Sequence, residues 1–142
     1  MMNYLYYLVE VQMKIGLFQV SSFLKLYLAI LNSIKADHGY NSESRIIKDL
    51  ALHLSSLSSS QRREYLQFIT GSPKLPVGGF KALSPPLTVV CKTVDRGKPD
   101  DYLPSVMTCV NYLKVPEYSS STILALRFET AVNEGQGGFH LS

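Results

Sequence analysis

The sequence contains no tryptophan, only two cysteines and three histidines, and charged side chains make up just 18% of its 142 residues. Each shortage excludes a class. Cys91 and Cys109 are too few for a disulfide-stapled scaffold, and free thiols suit a reducing compartment, the cytosol or nucleus. The two lie far apart without a CxxC spacing, and His38, His53 and His140 are equally dispersed. A structural zinc site would have to be built from singletons, so no metal is expected, and no motif calls for another cofactor. The formal charge of +3 is mild and scattered along the chain. It lacks the clustered basic face of a nucleic-acid binder. Disorder is excluded as well, because 46% of the residues are apolar and disordered chains combine low hydrophobicity with high net charge. A chain of this length can build one core unaided.

The one long hydrophobic stretch lies at the start. Residues 4–31 are dense in Leu, Ile, Val, Phe and Tyr, with no proline and a single glycine, Gly16. The best membrane-span window, Ile15 to Ile34, holds Lys25 near its middle. A central lysine costs about 2.5–3.5 kcal/mol on insertion, and each large aliphatic or Phe residue returns about 0.3–0.6. The eleven such residues in the window balance Lys25, and Gln19, Ser21, Ser22, Asn32 and Ser33 then weigh against spanning. A signal peptide fits poorly, since the first basic residue, Lys14, follows the first apolar run. The expectation is one or two helices resting on a neighbour, within a segment 1–37 that is set apart by composition from 38–142.

After residue 37 the punctuation is orderly. Asp37 to Asn41 reads as a turn around Gly39, and Ser42 or Ser44 can cap a helix carrying Ile46, Ile47, Leu50, Ala51, Leu54 and Leu57 on one face. Ser58 to Gln61 is a capping-box pattern opening a second helix, with Tyr65, Leu66, Phe68 and Ile69 on its core side and Gly71 and Pro73 stopping it. Pro76, Gly78 and Gly79 mark a loop. The β-branched run Leu87 to Val94 reads as a strand, and Leu103 to Val115 as strand pieces around an exposed bend. Ser119 to Ser121 cap a last helix through Ile123, Leu124, Phe128, Ala131 and Val132, which Gly135, Gly137 and Gly138 end before a short tail. This predicts an α+β domain, helices packed on a short β-sheet, preceded by the apolar helical segment.

Candidate chemistry is sparse. Cys109, with Thr108 and Asn111 beside it, could be a nucleophile or a small buried hydrophobe. Cys91 sits mid-strand and reads as packing. A Cys–His–Asn hydrolase would need His140, third from the chain end, where a base is seldom held rigidly; Asn133 would be its third member. Asp100 and Asp101 read as solvated turn residues, and Gly78-Gly79 lacks the flanking pattern of a phosphate loop.

Three strings carry more. They are Leu66-Gln-Phe-Ile-Thr-Gly-Ser-Pro-Lys-Leu-Pro-Val-Gly-Gly-Phe80, Leu103-Pro-Ser-Val-Met-Thr-Cys-Val-Asn-Tyr-Leu-Lys-Val-Pro-Glu-Tyr-Ser119, and Gly138-Phe-His-Leu-Ser142. In wording, order and spacing they resemble the C-terminal lobe of HECT-type ubiquitin ligases. The Asp37-His-Gly-Tyr40 string and the Phe-His-Leu-Ser ending are most similar to the thyroid hormone receptor-interacting subfamily and its plant relatives. The resemblance covers about residues 37–142. It implies that Cys109 accepts ubiquitin from a charged conjugating enzyme as a thioester and passes it to a substrate lysine. It further implies that Thr108 and Asn111 shape the bend and assist by hydrogen bonding, that Leu113 and the loop around it seat the ubiquitin tail, and that Phe139 serves transfer. Partners are then ubiquitin, a conjugating enzyme and protein substrates. Thioester exchange is nearly isoenergetic, and a thiol at the reference pKa of ~8.5 supplies a few per cent thiolate at neutral pH, so no strong base need stand beside it. Two departures stand out. Cys91 occupies a position where relatives usually carry a basic residue, and residues 1–37 do not resemble the family's larger N-lobe, which docks the conjugating enzyme. The expectation is a fragment inactive alone, with the interlobe hinge near Ala36 to Tyr40. The alternative is a non-catalytic ubiquitin-binding or competitor module.

Overall fold

The computed structural model describes residues 18–138 apart from positions 73 and 75, with side chains described for 22–135. The order is α1 (Phe18–Ser33), β1 (Lys35–Asp37), α2 (Arg45–Ser56), α3 (Ser59–Thr70), β2 (Thr88–Cys91), β3 (Ser105–Met107), β4 (Tyr112–Val115) and α4 (Ser121–Gly138), with single 3-10 turns at Gly79–Ala82, Pro99–Asp101 and Thr108–Val110. The sheet runs β1-β2-β4-β3. β1 and β4 flank β2 in parallel, and β3 pairs antiparallel with β4. The expected α+β arrangement is therefore present, with a mixed sheet.

Local chemistry explains the elements. α2 places Ile46, Ile47, Leu50, Ala51 and Leu54 on one face, and all are buried. Ser44 sits at its N-cap but makes no side-chain cap; its hydroxyl instead accepts the Asn41 N–H at 2.9 Å. α3 opens with the predicted capping box. Gln61 N–H donates to Ser58 Oγ at 3.2 Å, Ser58 N–H donates to Gln61 Oε1 at 2.9 Å, and both orphan donors are satisfied. Ser120 caps α4 by accepting the Ile123 N–H at 3.2 Å. The core gathers Leu50, Leu54, Leu87, Val89, Leu113, Val115, Leu124 and Phe128, with Tyr118 fully buried and its hydroxyl donating to Tyr102 O at 2.6 Å.

Two expectations need correction, and the packing of the segment around residue 37 can be described. The strand predicted over Leu87 to Val94 is shorter, Thr88–Cys91; its last bond to β4 runs from the Lys92 N–H to Val115 O, after which Pro116 ends the neighbour. The glycines expected to end the last helix lie inside it, since α4 runs to Gly138. A Cβ on Gly135 would sit 2.9 Å from Phe68 Cδ1, so this glycine lets α4 lie close against α3. The composition break at residue 37 is no break in packing: Ile30 of α1 belongs to the core, and β1 is a sheet strand with Ala36 opposite Val89. The expected hinge span Ala36 to Tyr40 likewise carries sheet pairing and a buried hydrogen bond, Tyr40 Oη donating to Val115 O at 2.8 Å. Among the described residues, no helix is long and apolar enough to cross a membrane.

Candidate functional site

β3 and β4 are joined by the 3-10 turn Thr108–Val110, and Cys109 is its central residue. Met107 to Val110 are all exposed, and Cys109 is a free thiol. The bend reverses the chain at Asn111, which adopts a left-handed conformation with φ 53° and ψ 40°. Asparagine tolerates that region better than most residues because its short polar side chain bonds locally. Here Asn111 is buried and tied on three sides. Its N–H donates to Thr108 O at 3.4 Å, its carbonyl accepts the Thr88 N–H at 3.0 Å, and its side-chain Nδ2 donates to Pro85 O at 2.7 Å. The first bond closes the turn, and the other two fasten it to the segment entering β2. Thr108 closes the other side. A Cβ added at Gly71, the left-handed C-cap of α3, would lie 3.2 Å from Thr108 Cβ and Cγ2, so the turn rests against the end of that helix.

The arrangement is an exposed thiol on a short turn held at both shoulders. Among the described residues, no hydrogen bond or ion pair joins a His, Asp or Glu to Cys109. His53 is engaged with Tyr65 Oη at 2.8 Å, and burial lowers its pKa below the usual imidazole value. His38 lies beside Asp37 in the turn after β1. Asn133 is exposed on α4, and His140 lies outside the described residues. Cys91 closes β2, half-buried against the turn at Gly39, where an added Cβ would be 2.8 Å from its own.

Of the residues singled out from the sequence, Thr108, Cys109 and Asn111 come together in one turn. Leu113 lies apart from the exposed turn, its side chain fully buried in β4 opposite Val89 and Val106. Phe139 lies outside the described residues. Asp100 also departs from the expected solvated turn residue. Its carboxylate accepts the Ser119 N–H at 2.8 Å and hydroxyl at 2.6 Å, and its carbonyl accepts Arg127 Nε at 2.7 Å, latching the loop before β3 to the start of α4. The two Ser119 donors hold its pKa below the ordinary carboxylate value. Sequence reading missed Pro85 and Gly71 as supports of the turn. Both were visible only as turn punctuation.

Comparison with known proteins bears on this geometry. Residues 27–142 match the HECT-domain (ubiquitin-transferase) family. The chain belongs to the HECT family. It is 57% identical over 117 residues to a "Probable ubiquitin fusion degradation protein" of Schizosaccharomyces pombe, covering 82% of this chain and 7% of that protein. It is 54% identical over 114 residues to E3 ubiquitin-protein ligase TRIP12 of Danio rerio, covering 80% of this chain and 6% of the relative. With E3 ubiquitin-protein ligase UPL4 of Arabidopsis thaliana the identity is 50% over 113 residues, covering 80% and 8%. The chain thus spans less than a tenth of the length of these relatives. The HECT match begins at Tyr27, inside α1, ahead of the composition break.

Proposed function

We propose that this HECT chain carries the acceptor thiol of a ubiquitin-protein ligase, with Cys109 receiving ubiquitin as a thioester and passing it to a lysine of a protein substrate. The observation that carries the reading is the free, exposed Cys109 thiol at the tip of a turn pinned by Asn111 and Thr108. In the loading step the Cys109 thiolate attacks the carbonyl carbon of the thioester joining ubiquitin to a conjugating enzyme. A new S–C bond forms, the old one breaks, and the conjugating enzyme's thiolate leaves. In the transfer step a neutral lysine amine attacks the same carbon. The C–N bond forms, Cys109 departs as thiolate, and the amine's extra proton goes to solvent.

The exchange conserves bond type, so the protein's task is positioning rather than activation. An open turn gives a bulky acyl donor access, and its bonded shoulders hold the sulfur in place. α4 bears on the second step. Phe128 stacks on Tyr65 with centroids 6.3 Å apart, and Gly135 abuts Phe68, so α4 descends beside α3 toward the end where Gly71 meets Thr108. This direction supports the reading that Phe139, one residue beyond α4, serves transfer. Ubiquitin, a conjugating enzyme and lysine-bearing proteins are the partners, in cytosol or nucleus.

The test is a single-turnover reaction with charged conjugating enzyme, resolved with and without reductant. Cys109→Ala abolishes the reducible ubiquitin adduct and Cys91→Ala leaves it. An adduct that survives Cys109→Ala and disappears with Cys91→Ala refutes the assignment.

A further inference from the structure

Away from Cys109, at the opposite end of α3, a cleft of about 460 Å³ opens between α1, the first turns of α3 and the Pro76–Lys81 loop. Its size lies in the range of ligand-binding pockets, about 300–1,000 Å³. The walls combine two chemistries. Leu26, Leu66 and Phe80 supply an apolar floor, and Arg62, Arg63 and Lys81 supply cations. Among the described residues, no carboxylate lines the cleft. Among the described residues, neither Arg63 nor Lys81 is in an ion pair, and both are exposed. Arg62 is held in position by donating to Leu57 O at 2.5 Å. Val77, in sequence between the lining residues Pro76 and Gly78, is 99% exposed, the most exposed large apolar side chain described. Three unneutralised cations around an apolar floor attract anions and reject cations, and the floor rewards a partner that also brings an apolar side chain.

We infer that this cleft docks a short acidic segment of a partner protein, anchored by one or two large apolar side chains. Charge complementarity selects this occupant. A purely apolar segment would leave the cations facing a desolvated surface, and a basic one would meet like charge. Along α3, Arg62 and Gly71 are about 13 Å apart at 1.5 Å per residue. A segment seated at the cleft therefore leaves the Cys109 turn open, and the inference stands whether or not Cys109 is the acceptor.

The test is fluorescence polarisation of the 142-residue chain with a labelled peptide that has Leu and Phe at its centre and Asp and Glu on either side. The controls are the same peptide with Asn and Gln for the acids, and phosphatidylserine vesicles. Saturable binding is expected, weakened by salt and by the neutral peptide. The double variant Arg63→Glu, Lys81→Glu should lose about tenfold or more in affinity, because two attractions become repulsions. Both side chains are exposed, and unchanged circular dichroism confirms that the fold survives; Arg63→Gln, Lys81→Gln serves if it does not. Amide shifts on titration should centre on Leu26, Arg63 and Phe80. Equal binding by the neutral peptide, equal binding by the variants, no saturation, binding to vesicles only, or nuclear Overhauser contacts from the chain's own first residues already filling the cleft would each overturn the inference.

Discussion

Replacing Asn111 separates the geometry of the Cys109 turn from the chemistry of its thiol. The substitution to alanine removes two things. One is the 2.7 Å bond from Nδ2 to Pro85 O. Pro85 is exposed, so water can take over its carbonyl, and the loss is the ordinary net value of about 0.5–1.5 kcal/mol rather than a full desolvation penalty. The other is the side chain's tolerance of φ 53°, which alanine lacks at a cost of about 1 kcal/mol. Asn111→Ala should therefore destabilise the chain by about 2 kcal/mol. Asn111→Gly loses the same bond but is free of the left-handed strain, and should cost about 1 kcal/mol. In a chain of this length each kcal/mol moves the melting temperature by about 3–5 °C, so urea or thermal unfolding resolves the pair. Function should respond differently. Both variants leave the thiol exposed, so alkylation of Cys109 by iodoacetamide should change little, whereas loading from charged conjugating enzyme should fall by about tenfold or more as the sulfur loses its fixed position. Equal stability of the Ala and Gly variants would refute the strain argument. Unchanged loading in both would refute the claim that the pinned turn positions the thiol.

Other outcomes follow from the same structure. Leu113→Ala, which empties a fully buried site in β4, should cost about 2–5 kcal/mol, measured by urea unfolding; a cost under 1 kcal/mol would mean the strand is not core. Gly135→Ala gains helix propensity worth about 1 kcal/mol but drives a methyl into Phe68, so the variant should be less stable than the parent, and adding Phe68→Ala should reverse the sign of the Gly135→Ala effect in a double-mutant cycle. Burial lowers the His53 pKa, so the unfolded chain binds this proton more readily. Stability should be full above about pH 6.5 and decline as pH falls through the range below it. His53→Gln should flatten that slope in pH-dependent melting, and the unchanged slope would refute the assignment. Asp100→Ala should loosen the start of α4, read as faster amide exchange at Ser119 and Ile123.

What the sequence disclosed depended on whether a signal was local. The capping box at Ser58 and Gln61 needs only four consecutive residues, and it formed as predicted. The α2 face was legible because helical spacing puts Ile46, Leu50 and Leu54 together whatever they pack against. The resemblance supplied Cys109, because a long string of residues carried it. Contacts between distant segments were not legible. Nothing in the Gly135–Gly138 run announces that Phe68, on another helix, requires a glycine there, so a helix interior read as a helix end. Leu113 came with the resemblance alone, and no local signal showed that β4 buries its side chain beside Val89.

The same logic explains how an exposed turn can be well placed. Exposure ordinarily goes with mobility, because surface loops have few neighbours. The Cys109 turn escapes this by sending its bonds backward. Asn111 reaches Pro85, its carbonyl takes the Thr88 N–H, and Thr108 rests on the end of α3 at Gly71, while the thiol itself has no structural duty. These partners belong to two other segments, the entry to β2 and the end of α3, and β4 leads from the turn directly into the core through Leu113 and Val115. Moving the backbone of the turn would require breaking contacts in the β2 entry, the α3 cap and the sheet together. Because the holding groups and the thiol are different atoms, exposure of the sulfur and a fixed backbone are compatible in one short turn.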